Sequence, residues 1–428
     1  MVDSLTKLVG CGCAAALTAF AAYAETPGVP TVDAVSIAHR DGARYATVGY
    51  TLSGAAAIVT VDIQTNGVSI GAANFAAGLS GDVNKVVGTG PHEIKWDTRA
   101  TWPEQKTGGA VLRAVVTAWT TSFPPDYMVL DLEGSKAKAY YASADEVPFG
   151  VSNYIYKTSK LLMRKIPAMN RTFVMGSPAG EVGRAYWEYG HLVTLSNDFW
   201  LGVYPVTQAQ HKKVMGSLPS ACLFTDKADS DLRPVNGCSF DYIRGGINDN
   251  NKRNFGYYGG NGPLGKFSAL TGATVDVPTE AQWEFACRAG LQDAIYTGGQ
   301  VVVDDNGRCA ALDEIAWYAG NAGGESHPVG LKKPNGYGLY DMLGNVCETY
   351  LDWWRENLGT TPVIEPFWPT ANGNGGVARR GGSYALPASS CRSASRKCAC
   401  TEWHTLKGSE DGVDYTGSCV YRLAVEIK

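Results

Sequence analysis

Short runs in which apolar and polar residues alternate fill the chain from about residue 31 to residue 122. A period of two residues is typical of strands that bury one face, and the Gly, Asn, Asp or Pro between the runs supplies turns. The pattern predicts antiparallel β-structure with the rings of Trp96 and Trp119 in its core. The runs are AVSIAHR, YATVGYTL, AIVTVDIQT, HEIKWDT and VLRAVVTAW.

Strands of this length and spacing favour a β-sandwich of the immunoglobulin or fibronectin type, which we assign to residues 25–130. No cluster of titratable side chains accompanies the strands in the sequence, so we interpret this domain as a spacer or adhesion module. Residues 131–160 are interpreted as a linker that keeps some order, because the run YMVLDL at residues 127–132 can add a strand.

Residues 161–428 have a different texture, in which Trp, Gly and Asn are frequent and helical periodicity is scarce. The chain contains 51 Gly and 11 Trp, which favours turns at positive φ and rings in an irregular core. We therefore predict an α+β, loop-rich domain. Its clearest helix is PTEAQWEFACRAG, where Thr279 and Gln282 have the spacing of a capping box and Gly290 can end the helix. A weaker helix is predicted over residues 207–216.

The first residues are typical of a signal peptide. Lys7 precedes a short apolar run, and residues 22–24 form a small-residue cleavage site, so residues 1–24 predict export to the periplasm, the cell surface or the medium. The tetrapeptide that ends at Cys11 leaves a lipoprotein signal as the less favoured alternative. The run is too short to cross a bilayer, and no later stretch is apolar enough. Cleavage removes two of the 11 cysteines and leaves an odd number for an oxidising compartment.

Six motifs give the second domain a resemblance to a known family. In their order along the chain they resemble the sulfatase-modifying-factor family, which includes the formylglycine-generating enzyme, and they cover residues 165–428. The resemblance implies a variant of the C-type-lectin fold. The motifs are FVMGSPAGEVGRAYWEYGHLVTLSNDFWLGVYPVTQAQHKKVMG, RPVNGCSF, VDVPTEAQWEFACRAG, AWYAGNAGGESHPVGLKKPNGYGLYDMLGNVCETYLDWW, RRGGSYALPASSCRSASR and YRLAVE.

The resemblance implies a calcium site in LYDMLGNVCET. Calcium binds six or more oxygens, from carboxylates and from carbonyl groups that a tight turn aims inward. Asp341 and Glu348 supply the carboxylates, and Gly344 and Val346 supply carbonyl oxygens.

A second calcium site of the family begins with an Asn and the carbonyl of the next residue, which match Asn321 and Ala322. Its later ligands have no clear counterpart in the loop GGESHPVG, where Glu325 is a possible substitute.

The resemblance also implies a copper(I) site after the GGSY motif, where the family enzyme binds the ion with two cysteines five residues apart. Soft thiolates suit this ion. In this chain the two positions are Leu386 and Cys391, and leucine binds no metal. We therefore interpret the copper site as degenerate, with Cys391 as the candidate catalytic residue and Ser383 lining the groove. The alternative is a rearranged loop that brings a thiol from the C-x-C pair, Cys398 and Cys400, to the metal.

These features leave three functions open. The favoured one is an exported binding scaffold for a protein or surface ligand, with residues 385–419 as a variable surface. The alternative is an oxidoreductase that converts a cysteine of a substrate protein to formylglycine, as in sulfatase maturation, with altered metal ligation and a cysteine-containing peptide as its partner. The third is a structural component of an envelope or matrix. A net charge of −4 without a basic stripe argues against nucleic acid as a partner.

Overall fold

The computed structural model of the protein describes residues 28–40, 42–102, 111–245, 255–256, 258–370, 376–400 and 419–427. The predicted signal peptide lies outside these ranges. The chain forms two compact units: the first contains the described residues up to Asp126 together with 140–150, and the second contains 127–139 and the residues from Val151 onward. Within the described ranges, no helix is both long and apolar enough to cross a membrane.

Antiparallel strands dominate the first unit. Where the sequence predicts the run AIVTVDIQT, the structure has a strand over the same nine residues. The elements are β1 (Thr31–Ala38), β2 (Tyr45–Ser53), β3 (Ala57–Thr65), β4 (Val68–Ser69), β5 (Leu79–Gly81), β6 (Lys85–Val87), β7 (Gly90–Asp97), α1 (Thr98–Thr101) and β8 (Leu112–Trp119).

Two sheets share the core of this unit. One has the strand order β1-β2-β7-β5, and the other has the order β4-β3-β6 with β8 also paired to β3. Side chains from both sheets, among them Val48, Val59 and Ile94, form one apolar cluster. Trp96 is fully buried in that cluster, as predicted, whereas Trp119 is half-buried and donates a hydrogen bond to Thr60 Oγ1 at 2.9 Å.

From Tyr127 onward the chain alternates short strands, short helices and long loops. The elements are β9 (Tyr127–Asp131), β10 (Lys138–Tyr141), β11 (Lys160–Ile166), β12 (Arg171–Met175), β13 (His191–Leu195), β14 (Phe199–Gly202), α2 (Gln208–Met215), α3 (Phe240–Ile243), α4 (Pro263–Thr271), α5 (Glu280–Arg288), α6 (Ala310–Asp313), β15 (Cys347–Trp353), β16 (Val363–Ile364), β17 (Gly376–Arg380), β18 (Arg396–Cys400), β19 (Cys419–Val420) and β20 (Ala424–Glu426).

Three small sheets organise the second unit. Strands β9, β11, β14 and β20 pair in that order and antiparallel, and β12, β13 and β16 form a second sheet. The third sheet has the order β18-β17-β15-β19, and every residue of its central strand β15 is buried. Helix α5 contacts β15. The turn of residues 341–346 therefore leads into β15, and the GGSY segment follows β17.

Both predicted helices are present, and each begins with a capping box. In α5 the Thr279 hydroxyl accepts from the Gln282 amide at 3.2 Å, while the Gln282 side chain accepts from the Thr279 amide at 2.9 Å. The helix ends at Arg288 with Ala289 in the left-handed conformation, one residue before the predicted Gly290. Helix α2 has the same arrangement at Thr207 and ends in a left-handed Gly216.

Candidate functional site

The GGS turn after β17 passes directly over the thiol of Cys391. Gly381 and Gly382 both have positive φ, 90° and 74°. A Cβ atom on Gly382 would lie 2.6 Å from the Cys391 sulfur, so the close approach of backbone and thiol requires glycine here.

The candidate catalytic residues lie inside the protein. Ser383 and Cys391 have no exposed surface, and Leu386 is buried. The Ser383 carbonyl accepts from the Leu386 amide at 3.0 Å, which folds the segment into a tight turn. Cys391 belongs to the main apolar cluster of the second unit, together with Leu343. Burial raises the pKa of the Cys391 thiol to about 12, although the backbone amides of Ser383 and Gly344 oppose the shift.

The described side chains do not fit the copper site of the family. Copper(I) binds thiolates, and the two positions implied by the resemblance hold a leucine and a buried thiol whose pKa burial raises to about 12. The backbones of Cys398 and Cys400 lie in β18, paired with Ala378 and Gly376 of β17. The side chains of this C-x-C pair lie outside the described part of the structure.

The turn predicted to bind calcium leads into β15 in a strained conformation. Asp341, Gly344 and Asn345 all have positive φ, 54°, 72° and 56°. A Cβ atom on Gly344 would lie 2.4 Å from the Trp317 carbonyl oxygen, so this position also requires glycine. Val346 follows in the same turn and is buried.

The two carboxylates of this turn have different partners. Asp341 accepts from the Gly330 amide at 2.7 Å and from the Asn345 side chain at 3.3 Å, and burial raises its pKa. Arg422 contacts both oxygens of Glu348, at 2.7 to 3.1 Å, and Trp283 Nε1 donates to the same carboxylate at 2.8 Å. Asp341 forms no ion pair with another described side chain, although the charges of Arg422 and Lys157 act on its carboxylate. Glu348 does not fit a calcium site in this structure, since Arg422 contacts both of its carboxylate oxygens.

The oxygens of the second predicted calcium site are already engaged. Asn321 Oδ1 accepts from the Tyr318 amide at 2.9 Å, and the Ala322 carbonyl lies 2.9 Å from His327 Nε2. Glu325 forms a salt bridge with Lys227 at 2.6 Å and therefore does not complete the site. Among the described residues, no group of three or more His, Cys, Asp or Glu side chains is placed to hold a metal ion.

Sequence reasoning missed a group of rings around Asn345. The Asn345 amide donates to the Trp317 carbonyl at 2.7 Å, and its carbonyl accepts from the Tyr384 amide at 2.8 Å. Its side chain bonds both the amide and the carbonyl of His327, at 3.0 Å each. Phe224 packs edge-on against Tyr384 with ring centroids 5.5 Å apart. We name Phe224, Trp317, His327 and Tyr384 the Asn345 face.

Cationic side chains lie beside the rings of the Asn345 face. Trp317 and His327 stack with centroids 3.9 Å apart, and the Lys332 ammonium lies 3.8 Å from the Trp317 ring centre. Arg233 lies over Phe224 at 5.8 Å. Phe224, Trp317 and His327 are each half-buried, so the rings are held in place and still reach solvent. Partly exposed aromatic and cationic side chains of this kind are typical of binding surfaces.

Comparison with known proteins identifies the family of this chain. A family model, the sulfatase-modifying factor enzyme 1-like domain, matches residues 170–404. The chain belongs to the sulfatase-modifying-factor family.

Its relatives include formylglycine-generating enzymes. The enzyme of Mus musculus is 31% identical over 143 residues, which cover 32% of this chain and 37% of that protein. The enzyme of Thermomonospora curvata is 34% identical over 135 residues, which cover 28% of this chain and 43% of that protein. The matches thus span less than half of either relative. PvdO from Pseudomonas aeruginosa is a solved structure at 24% identity, with a TM-score of 0.46, covering 62% of this chain and 94% of that one.

Proposed function

We propose that this chain is an exported scaffold that binds a protein or a surface ligand, on a formylglycine-generating-enzyme-like domain whose copper site is degenerate. The observation that carries the proposal is the environment of Cys391. Its thiol is fully buried among apolar side chains, burial raises its pKa to about 12, and the paired position holds Leu386. A buried thiol with a raised pKa is a weak nucleophile at neutral pH, and Leu386 offers copper(I) no second ligand.

The Asn345 face is the proposed binding surface. Its rings offer apolar area, and the Lys332 ammonium over Trp317 adds a cation that favours an acidic or aromatic partner. The turn that supports it is held by the hydrogen bonds of Asn345, so the face is largely formed before a ligand arrives. Such preorganisation lowers the entropic cost of binding.

Two assays on the purified full-length chain test the loss of copper chemistry. We expect copper(I) competition with a chelator to show no tight site, and a peptide containing C-x-P-x-R to yield no aldehyde. The Cys391→Ala variant should behave as the wild type does in both assays. Cys309→Ala is the matched control, because Cys309 is also a buried cysteine of the same apolar cluster.

The alternative is the oxidoreductase that converts a substrate cysteine to formylglycine. Membership of the family favours it. Stoichiometric copper(I) that is lost in Cys391→Ala and kept in Cys309→Ala, together with aldehyde formation, would replace the scaffold proposal with this one.

For the first unit we propose an immunoglobulin- or fibronectin-like topology and a role as a spacer or adhesion module. Its support is the pair of antiparallel sheets around one apolar core.

Export through a signal peptide at residues 1–24 is a further part of the proposed function. A secreted chain whose intact mass corresponds to a start at Glu25 is expected, and a mature chain that retains Met1 or a lipid on Cys11 would contradict it.

We also propose that calcium binds at the turn of Asp341. Calcium should raise the melting temperature of the wild type, because a cation stabilises a buried carboxylate that lacks a salt bridge. Asp341→Asn should remove the response to calcium and to a chelator. Glu325→Gln, away from this turn, should keep it. Glu348→Ala is unsuitable, since it also leaves Arg422 buried without its partner. A wild type that responds to neither calcium nor chelator would contradict the proposal.

A further inference from the structure

Cys222 and Cys238 lie on two segments whose backbones touch in the loop between α2 and α3. Gly237 directly precedes Cys238 and has a φ of 73°. A Cβ atom at Gly237 would lie 2.5 Å from the Ala221 carbonyl oxygen and 2.9 Å from the Cys222 backbone nitrogen. The residue before one cysteine is therefore in direct contact with the backbone of the other.

A second contact lies on the other side of the same pair. The Leu223 amide donates to Asn236 Oδ1 at 2.6 Å. The backbone of Asn236 touches both sulfurs: its amide donates to the Cys222 thiol, and its carbonyl oxygen lies 3.9 Å from the Cys238 sulfur. Both cysteines are buried and are free thiols in the structure.

We propose that Cys222 and Cys238 form a disulfide bond that closes the loop of residues 222–238. A disulfide requires Cα atoms about 4.4–6.8 Å apart. Backbone contacts at the neighbours of both cysteines bring the two segments side by side, so the bond needs only a local adjustment within this loop.

The chemistry is a thiol–disulfide exchange with a small-molecule or protein disulfide as oxidant. Two S–H bonds break and one S–S bond forms, while two electrons and two protons pass to the oxidant, which leaves as two thiols. Burial raises the pKa of both thiols, so few thiolates exist in the closed loop. The exchange therefore takes place during folding, before the loop closes.

The bond restrains a loop that carries part of the Asn345 face. Phe224 follows Cys222 by two residues and packs against Tyr384. Arg233 lies within the same loop and reaches Phe224 and the carboxylates of Asp229 and Glu325. The disulfide thus fixes these side chains where they meet the GGSY segment.

Three other described thiols serve as internal controls. The Cys287 sulfur lies 3.7 Å from the Ser393 hydroxyl, with no cysteine at that contact. Cys309 and Cys391 lie in the apolar cluster. We expect these three thiols to stay reduced under conditions that link Cys222 to Cys238.

Peptide mapping of the full chain tests the proposal. The protein is recovered in a glutathione redox buffer, alkylated with N-ethylmaleimide in denaturant, and digested with trypsin. Cleavage gives peptides 214–227 and 228–244, each with one cysteine, because the bond between Arg233 and Pro234 resists trypsin. We expect the two peptides as one linked species that separates on reduction. Recovery of both peptides in alkylated form, or of either peptide linked to another cysteine, overturns the proposal.

Thermal melting provides a second readout. Reduction should lower the melting temperature of the wild type by roughly 5–10 °C, since the bond constrains the unfolded chain. The double variant Cys222→Ser, Cys238→Ser should lose most of this response, and Cys309→Ser should keep it. An equal response of wild type and double variant contradicts the assignment.

Discussion

The interiors of the two units are built from different kinds of side chain. In the described part of the first unit, the buried residues are apolar apart from two threonines, and no charged side chain is buried. Among its described residues, the second unit buries seven arginines, together with many of the acidic residues that pair with them. The arginines are Arg233, Arg244, Arg288, Arg380, Arg392, Arg396 and Arg422.

The difference follows from the amount of regular structure. Strands of the first unit satisfy their backbone groups within two sheets. The loops of the second unit leave carbonyl oxygens inside the protein, and these need donors. Arg422 donates to the carbonyls of Gly202, Val203 and Tyr340, at 2.9, 3.0 and 2.7 Å, as well as to Glu348. A buried arginine offers five N–H groups, so one side chain can join several loops.

Removal of one such arginine should have the largest effect on stability. Arg422→Met should destabilise the second unit by about 3–5 kcal/mol, because it leaves Glu348 buried without its cation and removes one donor from each of three carbonyls. Urea unfolding followed by circular dichroism measures this. Arg44→Met is the control, since it removes an exposed ion pair with Asp97 and an exposed contact with the Tyr45 ring and should leave the unfolding midpoint unchanged. If Arg422→Met lowers the free energy of unfolding no more than the control does, buried arginines do not stabilise the second unit in the way proposed.

The pH dependence of stability sharpens the contrast further. Burial raises the pKa of Asp352 to about 7, and the neighbouring Glu280 carboxylate adds to the shift. A carboxyl group whose pKa is raised in the folded protein stabilises the folded state fully at pH values below its pKa in the unfolded chain. This contribution to the free energy of unfolding falls as the pH rises and is lost above about pH 7.

Asp352→Asn should therefore reduce the fall in stability between about pH 4 and pH 7. Urea midpoints across this range, for variant and wild type, measure the change in slope. Asp276 and Asp341 also have raised pKa values and are present in both proteins, so only the difference in slope reports on Asp352. Parallel pH profiles would show that Asp352 does not titrate in this range.

A small change in the first unit should cost least. Ile94→Val removes one methylene group from the apolar cluster and should destabilise by about 0.5–1.5 kcal/mol. The loss should be independent of pH between about 5 and 8, because no charge is involved. A strong dependence of the loss on pH would show that the first unit relies on charges as the second does.

Local features were predictable from the sequence, and long-range pairs were not. The capping box of Thr279 and Gln282 spans three residues, so its spacing is visible in one window. The pair of Glu348 and Arg422 is separated by 74 residues, and no period marks it. The motif identifies Cys391 as a candidate residue, but it does not predict that the side chain is buried. Burial depends on how the glycine turn folds over the thiol.

Asn345 holds its neighbours by their main chains. Its bonds end on the carbonyl of Trp317, the amide of Tyr384 and both backbone groups of His327. None of these bonds depends on which side chain those three positions carry. The side chains at these three positions can therefore be substituted without loss of the Asn345 hydrogen bonds. New binding specificities can arise at this surface while the backbone of the turn stays the same.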